Sequence, residues 1–278
     1  MAYSRTWEAG LESSEIVLHV PHSSRVVPPD IRDRLSLEEA ELAMELLRMT
    51  DHFTDELFCA SSRRSDMTAV VFPVSRLVVD PERFDDDGIE PMASIGMGVI
   101  YTRTSAGQSL RAKPVGDERA LLLERYYRPH HRRLEAAVQT ALRSFGRCLV
   151  IDCHSFPSTP LPYEVDQEPN RPDICLGTDE YHTPDELLIA AKAACDLEGL
   201  SVTVNRPFAG ALVPMAFYRR DRRVSALMIE VNRKLYMNEH AGEKSTGFRD
   251  VQAKLTRIIR ATATSCADQG SAPLRKGP

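Results

Sequence analysis

Two histidines follow apolar stretches of the chain, at positions where a side chain can take part in chemistry. His154 comes after the apolar run 148–151, and His22 comes after the apolar run 16–20. Such runs are typical of buried strands, and open α/β sheets bind their ligands at the carboxyl ends of their strands. Imidazole nitrogen is a common zinc ligand. The two histidines therefore predict two ligands of one metal site.

A hydrolytic metal site needs about three protein ligands and a carboxylate that accepts a proton from water. No third histidine has an equivalent setting, so we choose Asp51, at the start of a helical stretch, as the third ligand. Two alternatives stay open: Asp51 caps its helix, or Asp55 or Glu56 is the ligand. Glu230, in an apolar strand candidate, is the candidate for proton transfer, with a structural pairing to Arg233 as the alternative.

Basic and amide side chains near strand candidates predict how a negatively charged substrate would be bound. Arg76 and Arg83 flank one short apolar run, and Asn205 and Arg206 follow another. A guanidinium group matches the two oxygens of a carboxylate, so these four residues are the candidates for substrate binding. For Arg76 and Arg83, the alternative is an internal ion pair with a neighbouring aspartate.

Other histidines and one aspartate near these positions receive weaker interpretations. His130 and His131 are adjacent in a helical region, where neighbouring side chains point about 100° apart, so the pair is not expected to grip one metal. His131 is a candidate for a catalytic hydrogen bond, with a satisfied helix histidine as the alternative. His19 is predicted to be packed or hydrogen-bonded inside its strand. Asp152 is predicted to orient the site rather than to ligate the metal.

The composition argues against several classes of protein. The chain has 278 residues, of which 42% are hydrophobic, and a formal net charge of −5. It shows no basic nucleic-acid surface, no apolar membrane span, no glycine-rich phosphate loop and no secretory signal. Six cysteines without a C-x-x-C pair argue against a disulfide framework and against a cysteine zinc site. We expect a cytoplasmic protein with a small-molecule substrate and with no nucleic-acid or membrane partner.

Strand and helix patterns alternate along the chain and predict the elements that position these residues. Strands are predicted at residues 16–20, 68–74, 76–80, 148–153, 174–177, 202–205 and 226–231. Helices are predicted at residues 36–49, with a capping box at its start, 50–58, 116–145, 183–197 and 245–261. Strands that are apolar throughout favour a mostly parallel or mixed sheet between helical layers, which is a three-layer α/β/α fold. We predict a single catalytic domain over residues 1–266 and a disordered tail over residues 267–278.

With these residues assembled, the chain resembles the N-formylglutamate amidohydrolase family between about residues 15 and 240. Seven short motifs in a fixed order carry the resemblance. They are VPHSS at 20–24, TDHFTDELF at 50–58, SRLVVDPER at 75–83, YRPHH at 127–131, IDCHS at 151–155, NRPFAG at 205–210 and IEVNRKLYM at 229–237. Each motif is short, but their order and spacing together are specific.

The resemblance implies a phosphorylase/hydrolase-like α/β/α fold, similar to that of zinc carboxypeptidases. It also implies hydrolysis of N-formyl-L-glutamate to L-glutamate and formate, a reaction of histidine catabolism. His22, Asp51 and His154 would surround Zn²⁺ or another divalent metal, Glu230 would activate water, and arginines would hold the substrate carboxylates. The same ligands also suit iron, cobalt or manganese.

Two positions depart from the usual pattern of the family. Ser24 stands where the family commonly has glycine, and Glu82 stands before Arg83 where the family has asparagine. The second departure predicts a changed acyl or amino-acid preference. Hydrolysis of another N-acyl amino acid or of a small peptide is therefore one alternative function, and a metal-binding family member without catalysis is another.

Overall fold

Six strands form one mixed sheet in the computed structural model, which describes residues 14–60 and 66–267. In their order across the sheet, the strands are β2 (Thr68–Val71), β1 (Ile16–Val20), β3 (Cys148–Phe156), β6 (Val224–Asn232), β4 (Ile174–Gly177) and β5 (Val202–Val204). Strands β2, β1, β3 and β6 run parallel, β4 is antiparallel to β6, and β5 is parallel to β4. The predicted α/β class with a mixed sheet is confirmed.

Helices make up most of the remaining regular structure. They are α1 (Pro29–Arg32), α2 (Glu39–Met49), α3 (Thr54–Cys59), α4 (Gly116–Leu122), α5 (Arg128–Phe145), α6 (Asp185–Leu197) and α7 (Phe248–Ala267). A π-helical stretch, Leu123–Tyr127, joins α4 to α5 just before Pro129. Among the described residues, the other elements are two 3₁₀ helices, Pro91–Ile95 and Arg233–Leu235, and a short hairpin of β7 (Met237–Asn238) and β8 (Glu243–Lys244).

Helices cover both faces of the sheet because successive strand residues point to opposite sides. Leu18 and Ile151 belong to the apolar cluster that also contains residues of α3, α6 and α7. Val17 and Val150 belong to a second cluster, with residues of α5. The result is the predicted three-layer α/β/α arrangement.

Some predicted element boundaries were wrong. Helix α2 starts at Glu39, and its capping box joins Glu38 to Glu41 instead of starting at Ser36, whose backbone N–H donates to the carbonyl of Leu110. Residues 76–80 form a turn and not a strand, because the buried ion pair between the side chains of residues 76 and 80 closes the chain on itself.

The start of α6 also differs from its prediction. Thr183 does not cap this helix, which begins at Asp185, and its hydroxyl donates instead to the carbonyl of Ala226 at 2.6 Å. At the other end of the chain, the predicted disordered tail lies outside the described residues, except for Ala267, the last residue of α7. In the part of the chain that the structure describes, no helix is long and apolar enough to cross a membrane.

Strand β3 extends further than its sequence pattern predicted, and this places part of the functional region. It ends at Phe156, so His154 lies inside the strand and pairs in register with Glu230 of β6. His22 follows β1, as expected. Because β1, β3 and β6 run parallel, their carboxyl ends meet at one edge of the sheet. That edge carries the candidate site.

Candidate metal and hydrolytic site

His22, Asp51 and His154 come together at the carboxyl edge of the sheet. One possible ligand atom of each residue lies within 4.8 Å of the other two, and all three residues are buried. The backbone N–H of Asp51 donates to the carbonyl of His22 at 3.0 Å, which ties the segment before α3 to the end of β1. The structure thus brings together the three residues that the sequence suggested as metal ligands.

Asp80 fixes the orientation of His22. A carboxylate only accepts hydrogen bonds, so Nε2 of His22 donates to Oδ1 of Asp80, at 2.8 Å. Nδ1 of His22 is left buried without a hydrogen-bond partner, 3.7 Å from Oδ2 of Asp51. Burial alone would raise the pKa of Asp80, but Arg76 and His22 outweigh it and hold that pKa well below its usual range. A carboxylate behind the ring and an unsatisfied nitrogen in front of it are the features of a metal-ligating histidine.

Asp152 supports His154 in a similar way. Nε2 of His154 contacts Oδ1 of Asp152 at 3.1 Å, and Nδ1 faces Oδ2 of Asp51 at 3.1 Å. The other carboxylate oxygen of Asp152 accepts a hydrogen bond from the backbone N–H of Leu212 at 3.0 Å. Asp152 therefore lies behind His154, in the orienting position that was predicted for it.

Asp51 is held by groups on two other elements. Arg233 donates to its Oδ1 at 3.1 Å, and the backbone N–H of Ser155 donates to its Oδ2 at 3.2 Å. A second nitrogen of Arg233 donates to the carbonyl of Arg48 at 2.7 Å, at the end of α2. The carboxylate of Asp51 is therefore ionised and fixed in direction.

The alternatives to Asp51 as a ligand lie elsewhere. Glu56 forms an ion pair with Lys244 at 2.6 Å, and Asp55 is exposed on α3. The helix-capping role also fails, because the residue that caps α3 is Phe53 and no side chain caps this end of the helix. Of the three carboxylates considered from the sequence, Asp51 alone faces the two histidines.

Glu230 lies next to the candidate metal ligands and has an unsatisfied oxygen. Its side chain is buried, and Oε2 has no hydrogen-bond partner. Burial raises the pKa of Glu230 to about 8. The suggested pairing with Arg233 is not formed, since that guanidinium bonds to Asp51, Ser155 and the carbonyl of Arg48. A carboxylate with a pKa near neutrality beside a metal site is suited to proton transfer.

A cavity of about 320 Å³ opens over these residues, and its walls carry several arginines. Arg76 donates twice to Asp80, at 2.8 and 3.2 Å, so it is already held in an ion pair. Arg83 is less committed: its Nε is buried without a hydrogen-bond partner, and it lies 3.8 Å from Oδ2 of Asp80. Glu82 lines the same cavity. The arginines therefore give the cavity positive charge, which suits an anionic group.

Comparison with known proteins decides the family. Residues 14–237 match the sequence model of the N-formylglutamate amidohydrolases. The chain belongs to the N-formylglutamate amidohydrolase family. It is 27% identical to the N-formylglutamate deformylase of Pseudomonas putida over 250 residues, which cover 88% of each chain. It is 28% identical to the N-formylglutamate deformylase of Pseudomonas aeruginosa over 250 residues, which cover 88% of this chain and 89% of the other.

One solved structure supports the same family assignment, and a second has a similar fold. The crystal structure of N-formylglutamate amidohydrolase from Ralstonia eutropha JMP134 superposes with a TM-score of 0.80 and 25% identity, over 92% of this chain and 96% of the other. A protein from Agrobacterium tumefaciens superposes with a TM-score of 0.64 and 17% identity, over 93% of this chain and 90% of the other. The second likeness concerns the fold alone.

In this family member, three residues suggested from the sequence are not brought to the cavity. The side-chain amide of Asn205 accepts from the backbone N–H of Thr178 and donates to its hydroxyl, and the exposed Arg206 pairs with Asp166 at 2.6 Å. Nε2 of His131 donates to the carbonyl of Pro81 at 3.0 Å. Their hydrogen bonds hold loops in place, and they line no part of the 320 Å³ cavity.

Two residues of the site were not proposed for it from the sequence. Asp80 had been considered only as an ion-pair partner for arginine, and Arg233 only as a partner for Glu230. Their positions in the sequence could have indicated a role in the site: Asp80 ends an apolar run, and Arg233 directly follows the last central strand. Their actual contacts, with His22 and Asp51, depend on chain segments far away in the sequence.

Proposed function

We propose that this chain is a metal-dependent amidohydrolase that cleaves the amide bond of an N-formyl or other N-acyl amino acid. The best candidate reaction is hydrolysis of N-formyl-L-glutamate to L-glutamate and formate. One observation carries the proposal: a buried carboxylate, Glu230, with a free oxygen lies beside a group of two imidazoles and one carboxylate. The names of the Pseudomonas relatives support the substrate.

His22, Asp51 and His154 fit a divalent metal, and Zn²⁺ is our first choice. The buried Nδ1 of His22 has no hydrogen-bond partner, as expected for a ligand atom. Two nitrogens and one carboxylate oxygen are a common catalytic zinc set, and they also accept iron, cobalt or manganese. A bound metal would polarise the acyl carbonyl and acidify a water molecule.

Glu230 is the proposed general base and acid. It takes a proton from the attacking water as the new bond to the acyl carbon forms. It then gives a proton to the amide nitrogen as the C–N bond breaks, so that the carboxylic acid and the free amino acid leave. The burial that raises its pKa to about 8 makes it able both to accept and to return this proton near neutral pH.

The arginines in the cavity are proposed to hold the substrate. Arg83, with its buried and unpartnered Nε, would bind the α-carboxylate of the amino acid, and Arg76 would contribute positive charge behind it. Together, Arg83 and Arg76 would hold the substrate so that its scissile amide faces Glu230. Glu82 also lines this cavity and would repel a second carboxylate. Its position favours the alternative function, in which the substrate carries an amino acid other than glutamate.

The test of the catalytic role is the Glu230→Gln variant. We expect it to keep its metal, because Glu230 is not a proposed ligand, and to lose about 10²- to 10⁴-fold in turnover of N-formyl-L-glutamate. Formate release and metal analysis measure the two effects separately. Glu186→Gln, an exposed change in the first turn of α6, is the matched control. Unchanged turnover in Glu230→Gln would show that this carboxylate is not the base.

The test of the substrate is a panel of N-formyl, N-acetyl and N-succinyl amino acids with acidic, neutral and basic side chains. Highest kcat/KM for N-formyl-L-glutamate is the expected result. Faster cleavage of another member would keep the reaction class and change the substrate. Stoichiometric metal without cleavage of any member would favour a binding protein without catalysis.

A further inference from the structure

A second group of possible ligand atoms lies close to the first but shares no residue with it. Nδ1 of His19, on β1, is 2.9 Å from Oδ1 of Asp152, on β3, and 3.1 Å from Oε1 of Glu82, in the loop that lines the cavity. The three atoms come from three separate segments of the chain. His19 and Asp152 are almost completely buried, and the side chain of Glu82 is 15% exposed.

Hydrogen bonds within this group do not satisfy all three of its possible ligand atoms. Nδ1 of His19 can carry one hydrogen, and its hydrogen bond goes to Asp152. Oε1 of Glu82 is equally close, yet it is buried and has no hydrogen-bond partner. A buried oxygen without a hydrogen-bond partner is costly, and two carboxylates that both contact one nitrogen of His19 need positive charge near them. A cation can contact all three atoms at once, which a single proton cannot.

The surroundings of His19 suit a ligating imidazole. Its Nε2 lies 2.8 Å from Nε2 of the buried His130. A cation would displace the hydrogen from Nδ1 of His19, and Nε2 would then donate to His130 while Nδ1 presents the lone pair that ligation requires. Asp152 is oriented from behind by the backbone N–H of Leu212. With these contacts in place, Nδ1 of His19 faces Oδ1 of Asp152 and Oε1 of Glu82.

The distances and the access also fit a cation. Ligand atoms that lie ~2.1 Å from an ion, at right angles to each other, are themselves about 3 Å apart, close to the observed separations of 2.9 and 3.1 Å. A cavity of about 360 Å³ is lined by Glu82 and Asp152. It offers an entry path and room for water as further ligands.

We propose that His19, Glu82 and Asp152 form a second divalent-cation site. One imidazole and two carboxylates with water-filled positions suit Mn²⁺, Fe²⁺, Co²⁺ or Zn²⁺. Because Asp152 also contacts Nε2 of His154, a cation here would be linked through one carboxylate to the first proposed site. This inference adds to the proposed function and does not depend on the identity of the substrate.

The test is the number of Mn²⁺ or Co²⁺ ions that the metal-free, full-length protein binds at equilibrium. We expect two for the unmodified chain. Glu82→Gln keeps the side-chain volume at a partly exposed position, and we expect it to bind one ion normally and the other at least about 100-fold more weakly. Asp51→Asn should lose the ion of the first proposed site, at His22, Asp51 and His154. Glu186→Gln is the matched control and should bind two, with circular dichroism to confirm the fold of each variant.

The remaining outcomes distinguish the two proposals. One ion in the unmodified chain, retained in Glu82→Gln and lost in Asp51→Asn, would mean that His19 holds only a proton, and would overturn the second site while leaving the first. Two ions in both the unmodified chain and Glu82→Gln would place the second ion elsewhere, which also overturns this inference. No ion in any variant would overturn both proposals.

Discussion

Both histidines of the candidate metal site have a buried carboxylate behind the ring. Asp80 contacts Nε2 of His22, and Asp152 contacts Nε2 of His154. Such a carboxylate fixes the ring and makes the opposite nitrogen a stronger ligand. The two rings therefore present the same atom, Nδ1, towards Asp51. At the residue scale, the site depends as much on the two supporting aspartates as on the ligands themselves.

Asp80→Asn should weaken metal binding by about 10- to 100-fold, because the amide removes the charge that supports His22. It also leaves Arg76 without its ion-pair partner. The measurement is competition with a chromophoric chelator. Asp196→Asn, an exposed change on α6, controls for loss of one negative charge. Equal affinity in a folded Asp80→Asn variant would contradict the supporting role.

Turnover should rise with pH as Glu230 loses its proton. A carboxyl group whose pKa is raised to about 8 is protonated below that pH, and it becomes available as a base only above it. A divalent cation nearby favours the ionised form, so the midpoint should lie at or below about pH 8. The measurement is kcat/KM between pH 5 and 9. A rate that falls steadily from pH 5 to pH 7.5 would be inconsistent with Glu230 as the base.

At the scale of elements, one side chain joins three parts of the fold. Arg233, in the 3₁₀ helix after β6, bonds to Asp51 before α3, to Ser155 on β3 and to the carbonyl of Arg48 at the end of α2. The contacts with Asp51 and Ser155 are buried beside the candidate site, and the contact with the carbonyl of Arg48 is partly buried. The positions of α2, α3 and β3 relative to each other therefore depend on this guanidinium.

Arg233→Met should lower the free energy of unfolding by about 3–5 kcal/mol, because it leaves the buried charge of Asp51 without its cationic partner. Chemical unfolding followed by circular dichroism measures the loss. Arg143→Met, at an exposed position of α5, should change stability by less than about 0.5 kcal/mol. Equal stability of the two variants would show that the contacts of Arg233 are not structural.

The elements were predictable from the sequence where local composition determines them. Strands β1, β3, β4 and β6 are buried on both faces, so they appear as continuous apolar runs. Residues 76–80 carry a similar run, yet they form a turn because of an ion pair that composition does not reveal. The end of β3 was misplaced because His154 and Ser155 are polar residues inside a strand.

The candidate site was predictable to the same extent. The parallel strands bring His22, His154 and Glu230 to one edge, which follows from strand ends alone. The choice among arginines did not follow, because it is decided by distant partners: Arg206 is paired with Asp166, and Arg233 with Asp51. Such long-range pairs are set by the tertiary structure and leave no local pattern.

At the scale of the whole molecule, metal binding should be linked to stability. A ligand that binds only the folded state stabilises it by about 2.7 kcal/mol at 100 times its dissociation constant. Zn²⁺ at that concentration should therefore raise the free energy of unfolding of the metal-free protein by about this amount. Thermal or chemical unfolding with and without Zn²⁺ measures the effect. Asp51→Asn is the control and should lose most of it; equal stabilisation of both proteins would indicate binding outside the candidate site.

The alternation of side chains along β3 sets a strict limit on how this chain can change. Cys153 lies in the apolar cluster with the residues of α7, whereas Asp152 and His154 point to the opposite face. The spacing of two between the aspartate and the histidine is thus imposed by the pleated backbone. Insertion of one residue between Ile151 and Asp152 would exchange the two faces downstream of it, so that the thiol of Cys153 would point into the cavity and the side chains of Asp152 and His154 into the apolar cluster. A change of length in the two-residue step from Asp152 to His154 would therefore remove one of these two residues from the site, even with every residue type kept.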